Sequence, residues 1–484
     1  MRRKHIIRAT NNINSISMIM KKILLLLLLP VCAVAQKDYG ALVKQFVTGQ
    51  HQYFRFNGNV LVVKEGKIIY QGALGIADFS NNRALNDSSV FELASLSKQF
   101  TAMAVLICKE RGLLSINDNV KKFLPTFPYD NITIWNLLTH TSGLPGYEDQ
   151  FEKNWDHKKI AHNKDVIDML AKMKDTLRFT PGSRWQYSNT GYAVLACIIE
   201  TVSKSTYNSF LQKNIFQPLG MTHSMVYNTR RTNGKFPPNY AVGYVYADSL
   251  NRYVLPDDLP AFNYVYYLDG IVGDGCVNST TGDLYKWDRA LYNNNIISAT
   301  SLKEMLAPVF PTRPGDSNSY YGYGVMVMPH TDVGKTITHT GGWPGYATVM
   351  TRHVDRDETI VVLTNNGYGS TIGLMNAALE SILAGEDLVM PYEHKEIKID
   401  TALLSRYAGS YNAGLTMQFV VRNGKLYRHR NGTADIELKP ESETKFFYGD
   451  GTDRQIEFEV DSTGKVLKTW FMNSGQKGEM KKIN

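Results

Sequence analysis

In Phe91-Glu-Leu-Ala-Ser95-Leu-Ser-Lys98-Gln-Phe-Thr-Ala-Met-Ala-Val-Leu-Ile-Cys108 the apolar residues after Ser95 recur at helical spacing, at Leu96, Phe100, Met103, Ala104 and Ile107. Neither Gly nor Pro interrupts them before Gly112. The pattern predicts a buried helix with Ser95 in its first turn. Ser95 and Lys98, three apart, then share one helix face. A serine hydroxyl is a weak nucleophile until a neighbouring base takes its proton. A helix N-terminus offers unpaired N–H groups and a positive dipole end to an oxyanion. A lysine held among apolar side chains can serve as the base. The same Ser-x-x-Lys spacing recurs at Ser442–Lys445, Ser462–Lys465 and Ser474–Lys477, in polar, strand-like sequence with no following helix. The helix is what sets Ser95 apart.

Outward from this segment, 484 residues exceed one ordinary domain, so two are expected. The apolar share of 43% and charged share of 20% are those of a soluble globular protein. The net charge of +8 comes largely from residues 1–35, which carry Arg2, Arg3, Lys4, Arg8, Lys21 and Lys22 and no acid. Without them 47 basic residues face 45 acidic ones, which argues against nucleic-acid binding. Residues 1–35 read as a secretory signal: Lys21-Lys22 as basic region, Ile23–Leu29 as apolar region, and Ala33-Val34-Ala35 before a cleavage at Gln36. Residues 1–17 are largely polar and unlike a signal, which makes Met18 and Met20 alternative starts. Val31 stands before Cys32 where a lipoprotein needs a small residue, which disfavours lipid anchoring. An exported, periplasmic or secreted protein is expected, with no later segment able to span a membrane. Cys108, Cys197 and Cys276 remain, an odd count at wide spacing and no disulfide framework. Cys108 and Cys197 fall in apolar helical patterns and read as core residues. Nothing resembles a zinc site.

Along the chain, residues 38–55 read as an amphipathic helix. Asn59–Val63 and Ile68–Tyr70, with Glu65-Gly66 between, read as a hairpin that Ala73–Ala77 extends. Helices are expected at 134–138, 164–174, 191–202, 207–216, 283–292 and 371–383, and strands at 320–327, 336–340, 347–352 and 358–365. Strands near both ends with helices between predict an α/β fold whose sheet is assembled from both ends of this region. The tyrosine-rich stretch 240–267 reads as aromatic packing on a large surface loop, with a hairpin or flap as the alternative. Residues 386–400 are polar and read as a linker. From 401 to 484 short strands alternate with Gly and Asn turns, the pattern of a small antiparallel barrel or sandwich.

Two further groups are candidate partners of Ser95. Tyr187 and Asn189 lie in a loop that opens a helix. A tyrosine near a lysine cation can act as general base, and the asparagine amide can hold a substrate carbonyl and the lysine. His339-Thr340-Gly341-Gly342 ends an expected strand, where the Gly342 N–H could complete an oxyanion hole with that of Ser95 and the glycines admit a substrate backbone. Alone, each has an ordinary reading, since Tyr-x-Asn recurs at Tyr129–Asn131 and Tyr292–Asn294, and the histidine could end a strand at a turn.

In the order Ser-x-x-Lys, Tyr-x-Asn, His-Thr-Gly, together with Leu137–Leu144, Pro181–Asn189, Pro218–Met221 and His339–Gly345, the chain resembles the serine β-lactamase and penicillin-binding-protein superfamily over about residues 38–385. It is most similar to the class C β-lactamase-like branch, which also holds D,D-carboxypeptidases, D-aminopeptidases and esterases. The resemblance implies an antiparallel sheet flanked by helices plus an all-α subdomain, with the active site between them. The C-terminal segment resembles the lipocalin-like β-domain appended to such hydrolases, where packing against the catalytic domain is the first expectation. By resemblance, Ser95 is acylated and Lys98 and Tyr187 share the base and acid work. Asn189 orients the substrate, His339, Thr340 and Gly341 line the docking strand, and Ser95 and Gly342 N–H groups form the oxyanion hole. The substrate implied is a D-amino-acid peptide, amide or ester, peptidoglycan-derived fragments included. No cofactor or metal is implied, and the oligomeric state stays open. Many β-lactamases of the superfamily carry Lys where this chain has His339. A largely neutral histidine holds a substrate carboxylate less well, which disfavours true β-lactamase activity. An idle binding homologue is disfavoured by the intact Ser95, Lys98, Tyr187 and Asn189.

Overall fold

The computed structural model describes residues 37–173, 176–232, 235–367, 372–412 and 416–483. The expected signal segment, with Met18, Met20 and Cys32, lies outside them. Residues 39–484 form one compact unit. Its centre is an eight-stranded antiparallel sheet. The hairpin Gly58–Lys64 and Lys67–Leu74 lies at one edge, and Glu358–Thr364, Tyr346–His353, Gly334–Trp343, Met326–Thr331, Tyr320–Tyr321 and Phe310–Pro311 follow in that order. The sheet is therefore closed from both ends of the region, through pairs such as Val60↔Val362 and Val62↔Ile360.

Strand alternation divides the core in two. Val60, Val62, Val349, Ile360 and Val362 point to one face, where the helices Tyr39–Phe54 and Ile372–Ala384 cover them with Val43, Phe46, Met375 and Leu379. Leu61, Val63, Met350, Val361 and Leu363 point to the other, into a larger core shared with the Lys98–Glu110 helix. Against that helix pack Asn189–Ser203 and Tyr207–Leu211, with Asn163–Met173 on Asn189–Ser203, the all-α part of the fold, whereas Thr281–Asn293 also lies against the strands Gly58–Lys64 and Glu358–Thr364.

Four expectations are corrected in detail. The Ala73–Ala77 extension breaks at Gly75, whose φ of 98° only glycine holds without strain, and Ile76–Asp78 pairs instead with Arg83–Ala84. Residues 320–327 are two strands, because the Gly322–Val325 turn, with Gly324 at φ 74°, folds Tyr320–Tyr321 back on Met326–Thr331. The 207–216 helix changes from α to wider π winding at Gln212. The stretch 240–267 contains a hairpin, Val245–Ala247 with Arg252–Val254, and also the buried aromatic cluster of Tyr240 and Tyr244 with Tyr346.

Residues 386–400 carry no helix or strand. Beyond them eight strands from Gly409–Asn412 to Gln476–Ile483 close into a barrel, the last pairing with the first. Its core is Tyr407, Tyr411, Phe419, Leu426, Phe446, Tyr448, Ile456 and Phe458. No helix among the described residues is long and apolar enough to cross a membrane.

Candidate active site

Ser95 lies in a short 3-10 turn, Ala94–Ser97, that runs directly into the Lys98–Glu110 helix. Ala94 before it sits at φ 49°, a left-handed conformation a non-glycine residue rarely holds. The turn is held from two sides: Leu93 N–H donates to the Val277 carbonyl, and Thr348 donates its hydroxyl to the Leu93 carbonyl at 2.8 Å.

Lys98 is fully buried. Its Nζ lies 2.8 Å from Asn189 Oδ1, 2.7 Å from the Asp274 carbonyl and 3.0 Å from Ser95 Oγ. The first two oxygens can only accept, so they take two N–H bonds. The third contact runs either way. A neutral amine turns its lone pair on Ser95 and accepts the hydroxyl proton, and an ammonium donates to it. The geometry is that of a base placed against a nucleophile.

Asn189 opens its helix behind the Ser188 cap, whose Oγ accepts from Gly191 N–H. Its Nδ2 donates to Glu148 Oε1 at 2.6 Å, which fixes Oδ1 toward Lys98. Tyr147 donates to Asp274 Oδ2 at 2.6 Å. Burial pushes the carboxyls of Asp274 and Glu148 up and the Tyr147 hydroxyl well up.

Tyr187 is 38% exposed. Lys98 Nζ lies 4.9 Å from its ring centre, a cation–π distance. Among the described residues its hydroxyl makes no hydrogen bond to Ser95 or Lys98, so the base role expected of it has no direct contact here. Its ring rests 4.4 Å from that of His140. The His140 carbonyl accepts from Gln186 N–H and its Nδ1 from Ser188 N–H, so this one residue holds the loop on both sides of Tyr187.

The His339-Thr340-Gly341-Gly342 segment lies within its strand, which runs on to Trp343, rather than ending it. Thr340 and Gly342 face outward, whereas His339 and Gly341 face inward. Gly341 passes so close to the Leu93 carbonyl that no Cβ fits, while a Cβ at Gly342 meets open space. His339 is 6% exposed. Its Nε2 is paired with the Tyr321 hydroxyl at 3.1 Å and its Nδ1 with the Thr340 carbonyl at 2.6 Å. Burial, and then the Lys98 charge, push its pKa down to about 4, so the ring is neutral at physiological pH. Burial, Lys98 and His339 likewise hold His140 well below the usual range.

A cavity of about 850 Å³ opens on Ser95, Asn189 and Gly342, with Trp343 and Tyr264 in its walls. The structure thus brings Ser95, Lys98 and Asn189 into hydrogen-bond contact and Gly342 to the same cavity. Glu148, Tyr147, Asp274 and His140 were not foreseen. His140 lies in the Leu137–Leu144 stretch, and Asp274 in the glycine-rich loop Gly270–Gly275. Among the described residues no group of three or more His, Cys, Asp or Glu could hold a metal ion.

This fold and this Ser-x-x-Lys centre define a serine hydrolase of the β-lactamase and penicillin-binding-protein superfamily. The family model described as Beta-lactamase matches residues 41–383, and the chain belongs to that family. Penicillin-binding protein 4* of Bacillus subtilis (strain 168) is 42% identical over 416 residues, which span 84% of this chain and 90% of the relative. Among solved structures, the octameric penicillin-binding protein homologue from Pyrococcus abyssi aligns over 92% of this chain and all of its own, at a TM-score of 0.64 and 25% identity. The D-amino acid amidase from Ochrobactrum anthropi SV3 shares the fold over 72% of this chain and 99% of its own, at a TM-score of 0.59 and 22% identity.

Proposed function

We propose that the chain is an exported hydrolase that cleaves an amide, D-amino-acid peptide or ester through a covalent acyl-enzyme on Ser95. The observation that carries this reading is the Ser95–Lys98–Asn189 contact set at the base of an open cavity. Lys98 Nζ accepts the Ser95 proton as Oγ attacks the substrate carbonyl, and the carbonyl π pair moves onto its oxygen. The N–H groups of Ser95 and Gly342 receive that oxyanion. Collapse expels the amine or alcohol, which takes a proton back, and water then releases the acid by the same steps in reverse. Tyr187 stands beside Lys98 to share the proton transfer when substrate closes the site. The N-terminal charge and apolar pattern supports export.

The neutral His339 disfavours recognition of a β-lactam carboxylate. Hydrolysis of p-nitrophenyl butyrate and of a chromogenic cephalosporin, compared between wild type and Ser95→Ala, tests the reading. Ester turnover in the wild type, lost in Ser95→Ala, with slow or no cephalosporin turnover, is expected. Rapid cephalosporin turnover would establish the β-lactamase alternative.

A further inference from the structure

We infer that the cleft beside Ser95 contains a cation subsite built on Glu92, which takes a protonated amine carried by the substrate. The inference rests on the proposed role of Ser95 only in placing this cleft at the reacting centre. Glu92 sits three residues before the nucleophile, on the strand Phe91–Glu92 that pairs with Val277–Ser279, and it lines the cavity. It is 94% buried, since only 6% is exposed, and among the described residues its carboxyl makes no hydrogen bond. A buried carboxyl facing a cavity without a partner is costly, and native interiors pair such groups.

Its neighbours make the want sharper. Burial, then the nearby Asp269, raise the Glu92 pKa to about 8, so in the empty cleft the carboxyl is largely protonated at pH 7. Arg230 offsets part of this, but its guanidinium is bound to Asp257 at 2.7 and 2.9 Å and lies 3.6 Å from Asp269. Among the described residues the acids lining the cavity are Glu92, Glu148, Asp149, Glu152, Asp269 and Asp274, and no Lys or Arg lines it. An ammonium group entering here would draw Glu92 into its ionised form and give it its missing donor. A carboxylate would find no basic partner on this wall. The wall thus selects amine-bearing substrates and rejects anionic ones.

The test separates binding from chemistry. Titration calorimetry on Ser95→Ala would compare D-alanine p-nitroanilide with its N-acetyl and N-succinyl forms. Tighter binding of the free amine by about tenfold or more over the N-acetyl form is expected, with the N-succinyl form weakest. Adding Glu92→Gln should erase the first difference. Glu92→Asp, which keeps the carboxyl on a shorter arm, should lose part of it and guards against misfolding of the amide variant. Equal affinity for the three compounds, or an amine preference that survives Glu92→Gln, would overturn the subsite. Wild-type turnover of p-nitrophenyl butyrate, which carries no charge, reports on Ser95 separately.

Discussion

At the scale of single residues, the site works by fixing orientation. Asn189 reaches Lys98 through its oxygen because Glu148 holds its nitrogen. Glu148→Ala should free that amide to rotate and lower kcat by about a hundredfold, with the melting temperature changed far less. Steady-state kinetics beside thermal unfolding would check it. The neutral histidines make a second prediction. His339 has its pKa at about 4 in the folded protein, below the ordinary value near 6.5. The unfolded chain therefore binds more protons between these values, and stability present above about pH 6.5 is lost as pH falls toward 4. The loss from this residue alone is about 3 kcal/mol by pH 4. His140 acts in the same direction. Urea midpoints at pH 7.5 and pH 4, for wild type and His339→Gln, should show a smaller pH difference in the variant.

At the scale of elements, the Gly334–Trp343 strand and the Ser95 turn are pressed together at Gly341. Its missing Cβ admits the Leu93 carbonyl, and Thr348 across the strand pair bonds that same carbonyl. Gly341→Ala should therefore push the strand off the Ser95 turn and lower both stability and turnover. Gly342→Ala, with open space where its Cβ would sit, should melt near the wild type. Differential scanning calorimetry of the pair distinguishes them. The helices and long strands were legible because their apolar periods are strong, as in Leu96 to Ile107. Gln476–Ile483 carries little signal of its own, because among its residues Met480 alone is buried and no alternation shows in the sequence. Of the site, the Ser-x-x-Lys and Tyr-x-Asn groups could be read because their spacing is local. Glu148 and Asp274 could not, since their roles arise from contacts 41 and 127 residues away, to Asn189 and from Tyr147.

At the scale of the whole molecule, the barrel packs behind the catalytic sheet. Gln50, on the helix Tyr39–Phe54 that covers the face away from Ser95, donates to Asp453 Oδ2 of the barrel at 2.7 Å, both side chains buried. Val389 N–H donates to the Gly475 carbonyl, and His394 stacks on Phe447 at 4.9 Å. Among the described residues, none beyond Gly367 lines the cavity. The described barrel residues thus pack on the catalytic region and stand apart from the cavity. Asp453→Ala should cost about 1–3 kcal/mol of stability and leave kcat/KM at 25 °C near the wild type. Chemical denaturation together with ester kinetics would show it.

The central claim is the covalent step. Wild-type protein quenched in acid during turnover of a p-nitrophenyl ester, then digested and mapped by mass spectrometry, should carry the acyl mass on the peptide containing Ser95. Ser95→Ala should carry none and turn over nothing. An acyl group on another residue, or turnover that persists in Ser95→Ala, would contradict the account.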